Sequence, residues 1–198
     1  MYNTVKLVGS IIDTPRLNHE IGGIKVYRFD MDAGDRATVY ANEQALPGPL
    51  EPGDRLFVSG ALRTFHNEAP GVYHVVAKGR VISPATDAEP TSNIVRFTGK
   101  LSSLPPLNYE VKEDRANPIP TVMGKLHQTR LDGKLCTIII KAEGTPARQI
   151  CGIGVDETID IVGRLSSGVV IVDSIERRTV QDTPYQAYLP SAVRRPCG

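Results

Sequence analysis

An internal repeat of about ninety residues constrains this chain more than any other feature. Residues 3–9 (NTVKLVG) return at 93–99 as NIVRFTG. Both copies have the alternating apolar pattern of a short strand and end on a glycine. Four further identities keep the same spacing, since Pro15, Leu17, Asn18 and Glu20 recur as Pro105, Leu107, Asn108 and Glu110. The repeat predicts two copies of one small module.

The spacing between equivalent residues of the two copies increases along the chain, which indicates insertions in the second copy. Thr38 recurs as Thr137, 99 residues on, and Gly60 recurs as Gly163, 103 residues on. A unit of this length exceeds the usual solenoid repeat of about 20–50 residues and suits a small barrel. The length of 198 residues allows one or two domains. The repeat favours two: residues 1–84 and 93–178, joined by a linker at 85–92.

The pattern of the first copy predicts five strands, at residues 3–12, 24–32, 36–42, 55–63 and 72–82. A bend and turn are expected at 13–23, a proline-rich break at 43–52 and a hairpin loop at 64–71. Five strands with a break after the third are the layout of an OB-fold barrel. The second copy predicts strands on the same plan, at 93–104, 122–129, 134–142, 158–165 and 169–177. The fold class predicted is all-β: two tandem five-stranded OB-fold barrels followed by a disordered C-terminal tail at 179–198.

Composition and charge narrow the possible partners. The net charge is +1; residues 1–92 carry 9 basic against 11 acidic side chains, and residues 93–198 carry 14 against 11. The net charge therefore provides no overall electrostatic attraction to nucleic acid, and a binding surface must be a local basic patch. No apolar run approaches the roughly 18 residues of a membrane span. The N-terminus lacks the layout of a signal peptide, so we expect a cytoplasmic protein.

No group of residues predicts catalysis or metal binding. The histidines (His19, His66, His74 and His127) and the cysteines (Cys136, Cys151 and Cys197) lack metal-ligand spacing. Asp30, Asp32 and Asp35 resemble the start of a calcium loop but lack its closing glutamate, and a solvated strand end explains them as well. We expect no enzyme activity, no cofactor and no bound metal.

Three motifs carry a resemblance to a known family. The strand motif at 3–9, Tyr27-x-Phe29 and the segment LEPGDRLFVSGALRTF at 50–65 resemble the bacterial single-stranded DNA-binding proteins. The nearest type is the tandem OB-fold form found in Firmicutes and their mobile elements. The match covers 3–82 closely and 93–177 loosely. The chain ends in Arg194-Arg195-Pro196-Cys197-Gly198 and lacks the acidic tip with which many members recruit partners.

The resemblance implies a role in DNA replication, recombination or conjugation, with replication or recombination proteins as partners. Members with one barrel per chain assemble four barrels, so a chain with two would form a homodimer. The alternative is an OB-fold protein-interaction or assembly module that has lost nucleic-acid binding. Near-neutral net charge favours that alternative, as does the loss of aromatics from seven in residues 1–92 to four in 93–198.

Binding of single strands requires cations for phosphates and aromatic faces for bases. Alternate residues of a strand face opposite sides of the sheet, a rule that we call strand parity. By this rule, the outward candidates of the first copy are Lys6, Arg28, Tyr40, Arg55, Phe57, Arg63 and Phe65. Tyr40 and Phe57 suit either base stacking or an oligomer interface. The three arginines also suit solvated surface positions. Tyr27 and Phe29 are expected in the core.

Overall fold

The computed structural model describes residues 1–66, 73–111, 117–130, 132–155 and 157–178. Within them lie twelve strands, one α-helix and a 3-10 turn at Glu43–Ala45. The first six strands are β1 (Asn3–Ile11), β2 (Arg16–Ile21), β3 (Ile24–Asp32), β4 (Arg36–Asn42), β5 (Arg55–His66) and β6 (Tyr73–Pro84). The others are β7 (Ser92–Leu101), β8 (Asn108–Glu110), β9 (Ile119–Thr129), β10 (Leu135–Glu143), β11 (Thr158–Ser166) and β12 (Val169–Arg177). The helix α1 (Thr145–Cys151) lies between β10 and β11.

The strands form two barrels of the same topology. In the first barrel the order β3-β4-β6-β5-β1 is closed by pairing of β1 with β3. In the second, β9-β10-β12-β11-β7 is closed by pairing of β7 with β9. Each barrel contains one parallel pair, β4–β6 or β10–β12. The predicted fold class of tandem five-stranded OB-fold barrels is confirmed, while the tail at 179–198 lies outside the described residues.

Glycines of the repeat stand where each barrel strand must bend sharply. A Cβ atom on Gly60 would lie 2.0 Å from the backbone oxygen of Lys78, and one on Gly163 would lie 2.1 Å from that of Ile171. The register of each strand pair shifts beside these glycines, which marks a β-bulge. Gly9 is as crowded, since its Cβ would lie 1.9 Å from a backbone oxygen of β3. The repeated glycines therefore permit close backbone crossings.

The two barrels join through their first strands. β1 and β7 pair antiparallel in a register that is symmetric about one residue pair: Val5↔Val95, Asn3↔Phe97 and Leu7↔Asn93. Because residue i of the first copy is equivalent to residue i + 90, this register relates the barrels by a local two-fold axis. The result is one continuous twelve-stranded sheet, with core residues of both barrels in a single buried cluster.

Each barrel has one short additional strand that the sequence pattern does not predict. Residues 16–21 form β2 instead of a bend, and 108–110 form β8. Both are edge strands, and five of the six residues of β2 are exposed, so neither has the apolar alternation that reveals a strand. β5 extends into the expected 64–71 loop as far as His66, β6 runs from Tyr73 to Pro84 instead of 72–82, and β7 ends at Leu101 instead of 104. The segment between β10 and β11, which carries no predicted strand, contains α1, and the helix begins after Gly144.

The core follows the predicted alternation at Phe29 and Met31, but Tyr27 and Asp30 depart from it. Phe29 and Met31 are fully buried, and Tyr27 is half-buried. Asp30, expected at a solvated strand end, is only 3% exposed. Its carboxylate accepts hydrogen bonds from Arg36 Nε at 2.9 Å and Thr38 Oγ1 at 2.6 Å, which compensate for its burial. The described segments contain no helix long and apolar enough to span a membrane.

Candidate nucleic-acid interface

The outer face of the first barrel carries an aromatic residue between two cations. Arg28 on β3 pairs with Tyr40 on β4, and Tyr40 pairs in turn with Lys78 on β6. Their chain neighbours Phe29, Val39 and Ala77 are buried in the core, so the row of three faces outward. Arg28 and Lys78 are exposed, and no described carboxylate forms an ion pair with either of them. We call this surface the Tyr40 face.

Tyr40 is less exposed than sequence parity suggested, although it lies on the outward side. It is 9% exposed and packs with Val26 and Val76 in a small cluster outside the barrel core. A cavity of about 300 Å³ opens beside it, lined by His19, Ile21, Ile24, Val26, Tyr40, Asn42 and Lys78. The β2–β3 hairpin forms one wall of this cavity. The arrangement presents an apolar slot with an aromatic wall and a cation at its edge.

Arg63 lies at the β5 side of the Tyr40 face. It pairs with Val76, which belongs to the same outward cluster as Tyr40. Its Nη1 donates a hydrogen bond to the carbonyl of Leu62 at 2.8 Å and leaves further donors of the guanidinium available. Phe65 follows on the same strand, where its backbone pairs with His74, and its side chain is outside the described part of the structure. Three candidates, Arg28, Tyr40 and Arg63, therefore share one face.

Lys6 and Phe57 lie on a different surface. Lys6 pairs with Ser59 on β5 and with Ile94 on β7, and Phe57 pairs with Val8 on β1. This surface is the outer side of the sheet β6-β5-β1-β7-β11, which spans both barrels, and we call it the dyad face. It exposes aliphatic side chains at 58% for Val81, 45% for Ile94 and 37% for Val162. Phe57 is half-buried there and is separated from the Tyr40 face.

Arg55 binds the segment between the barrels. Its Nε donates to the carbonyl of Thr86 at 3.1 Å, its Nη2 donates to the carbonyl of Glu89, and Nη1 contacts Thr91 Oγ1 at 3.4 Å. A guanidinium has five N–H donors on three nitrogen atoms, and these contacts engage all three nitrogens. The structure therefore gives Arg55 a linker-anchoring contact within the chain.

The corresponding row of the second barrel has a different chemistry. Met123 on β9 pairs with Lys141 on β10, which pairs in turn with Ile171 on β12. The order cation–aromatic–cation of the first barrel is thus replaced by apolar–cation–apolar. Lys141 lies 3.2 Å from Glu143 and 3.3 Å from Glu110. Hydrogen bonding to Glu143 is the main cause that raises the pKa of Lys141 above its ordinary value.

Sequence parity missed Lys78, His19 and Asn42, which line the cavity beside Tyr40. The sequence could have identified Lys78 as outward, because it alternates with the buried residues Val75 and Ala77 along β6. His19 could not be placed, since β2 itself was not predicted. Asn42 lies at the end of β4, where parity alone does not show that the neighbouring hairpin folds over it.

No family model matches the chain, and no curated protein matches it. Solved structures do match it along nearly its whole length. The wild-type single-stranded DNA-binding protein from Thermus aquaticus is 20% identical, with a TM-score of 0.73, over 94% of this chain and 97% of that chain. A deletion mutant of the same Thermus protein gives 19% identity and a TM-score of 0.75, over 93% and 98%. The likeness shows a shared fold.

Proposed function

We propose that the chain binds single-stranded DNA without strong sequence preference, on the Tyr40 face. The observation that carries the proposal is the cross-strand row of Arg28, Tyr40 and Lys78. Sequence-tolerant binding combines cations that follow the phosphates with aromatic rings on which bases stack. The row supplies both, and the adjoining cavity has room for one base against Tyr40.

The biological setting proposed is DNA replication, recombination or conjugation, as a non-enzymatic cytoplasmic protein. The sequence resemblance to bacterial single-stranded DNA-binding proteins supports this setting, and so does the fold shared with the Thermus protein. The tandem type of Firmicutes and mobile elements, with replication or recombination proteins as partners, belongs to the same proposal. So does the division into units 1–84 and 93–178 with a linker at 85–92.

We also propose that the dyad face mediates homodimerisation. The face carries exposed apolar side chains together with the exposed Lys6, and exposed apolar side chains on a surface commonly mark an interface. Phe57, Val81, Ile94 and Val162 lie on this surface, which extends across both barrels. The face lies across the local two-fold axis of β1 and β7, and an isologous contact would place the same face of a second chain against it. Two chains joined here would bring together four barrels.

The binding proposal is tested with labelled oligo-dT and the double variant Arg28→Ala/Lys78→Ala. Removal of two phosphate contacts should weaken binding at low salt. It should also flatten the slope of log K against log salt by about 1.4, at about 0.7 per phosphate of a single strand. Lys100→Ala/Lys134→Ala is the matched control, because both lysines are exposed, lie outside this row and carry the same charge. Equal losses in the two double variants would contradict the Tyr40 face as the site.

The alternative, an assembly module without nucleic-acid binding, is favoured by the second barrel alone. There the outward row contains no aromatic residue, and its cation is paired with two carboxylates. This alternative predicts no binding of oligo-dT by the intact chain at low salt, together with a defined oligomeric mass.

A further inference from the structure

Four carboxylates hold two cations of the second barrel in place. Lys141 Nζ lies 3.3 Å from Glu110 Oε1 and 3.2 Å from Glu143 Oε1. Arg164, on β11, is held in the same way. Its Nε lies 2.8 Å from Asp35 Oδ2, and its Nη1 lies 2.7 Å from Asp173 Oδ1.

Both groups lie at one cleft of about 520 Å³, lined by Asp35, Lys141, Glu143, Pro146, Arg164, Ser166, Ile171, Val172 and Asp173. Asp35 belongs to the hairpin between β3 and β4, so the cleft includes both barrels. Four carboxylates around two cations give a formal charge of −2 at this position. A phosphate entering the cleft would meet cations whose charge is already more than balanced.

The first barrel shows that such pairing is not a consequence of the fold. Arg28 and Lys78 occupy the flanking strands of its outward row, and no described carboxylate pairs with either. Exposed ion pairs contribute little to stability, so stability is a weak reason for the arrangement in the second barrel. Its larger effect is on which ligands can approach, because like charges suppress the wrong partner.

We infer that Glu110 and Glu143 are specificity-determining residues that exclude nucleic acid from the second barrel. This inference rests on the proposed function, and it confines the bound strand to the Tyr40 face. By occupying Lys141, the two glutamates remove the cation at the centre of the row Met123–Lys141–Ile171. With the glutamates neutralised, that row would offer a free cation to a phosphate.

The test uses the full-length double variant Glu110→Gln/Glu143→Gln. Its control is Glu51→Gln/Glu176→Gln, which makes the same change in net charge at two exposed residues outside the cleft. Oligo-dT should bind the cleft variant more tightly than the control variant. The salt slope should steepen by about 0.7, the value for one added phosphate contact on a single strand. Equal behaviour of the two double variants overturns the inference.

A second arm separates this inference from the proposed function. In the Arg28→Ala/Lys78→Ala background, the glutamine pair should restore part of the lost oligo-dT binding, whereas the control pair should not. If the unmodified chain fails to bind oligo-dT at all, the proposed function is wrong. Inorganic polyphosphate then becomes the probe. Greater retention of polyphosphate by the cleft variant than by the control supports the charge exclusion, and equal retention overturns it.

Discussion

The side-chain amide of Asn93 bonds to both backbone polar groups of Leu165. Leu165 N–H donates to Asn93 Oδ1 at 2.9 Å, and Asn93 Nδ2 donates to the carbonyl of Leu165 at 2.7 Å. In the first barrel Asn3 makes the same pair with Leu62, at 2.7 and 3.4 Å. Each leucine lies two residues after a bulge glycine, where the strand departs from its ladder. The β1–β5 ladder ends at Gly60 and the β7–β11 ladder ends at Gly163, so the repeated asparagine satisfies the backbone groups that lie just beyond the end of each ladder.

Asn93→Ala should lower the stability of the protein without altering its surface. The substitution leaves the N–H and carbonyl of Leu165 without their partner, and an unsatisfied buried polar group costs about 1–3 kcal/mol. The measurement is the free energy of unfolding in urea. Asn108→Ala is the control, because that side chain is exposed on the edge strand β8. Equal stability of the two variants would show that the asparagine pair is dispensable.

Gly163→Ala should also be destabilising, through the backbone crossing at the second bulge. The new Cβ would lie 2.1 Å from the carbonyl oxygen of Ile171, and backbone cannot move aside cheaply. Forced overpacking typically costs about 1–3 kcal/mol. Gly124→Ala provides the comparison, since its Cβ would meet only side chains at ordinary contact distance, Pro105 at 3.5 Å and Ile140 at 3.7 Å. Melting temperatures of the two variants decide the matter, and a tolerated Gly163→Ala would contradict the close crossing.

The sequence was sufficient to predict the barrels because the features that define them are local. Alternating core residues, bulge glycines and the paired asparagine all recur in both copies. Parity also separated inward from outward side chains, but it cannot say which side of a closed barrel an outward side chain faces. Tyr40 and Phe57 therefore looked equivalent in sequence, and the structure places them on two surfaces. The β2 strand was missed because an exposed edge strand has no apolar period.

Phe57→Ala distinguishes assembly from base stacking. If the dyad face joins two chains, the mass in light scattering should fall towards the 21.5 kDa of one chain. Oligo-dT affinity should not show the loss of about 1–3 kcal/mol that removal of a stacking ring causes. Tyr40→Leu, which keeps the apolar volume but removes the ring, should show the reverse. A Phe57→Ala protein of unchanged mass with weakened oligo-dT binding would instead show that Phe57 belongs to the binding site.

The ion pairs of Lys141 give a pH-dependent contribution to stability. Because the pKa of Lys141 is raised in the folded chain, this contribution is complete below the unfolded pKa of about 10.4. It is lost as the pH rises through the higher folded pKa, where the amine becomes neutral. The difference in melting temperature between wild type and Lys141→Met should therefore be constant around neutral pH and change in strong alkali. A difference that changes around pH 7 would point to another group.

Arg55→Ala should separate anchoring of the linker from binding of phosphate. Its guanidinium donates to Thr86 and Glu89 in the segment between the barrels, so its loss should lower the melting temperature. The salt slope of oligo-dT binding should stay at the wild-type value, because these donors already face the chain. Arg28→Ala is the matched arginine with an exposed side chain, and it should give the opposite result: an unchanged melting temperature with a slope flattened by about 0.7. A flattened slope in Arg55→Ala would mean that the arginine leaves the linker to contact DNA.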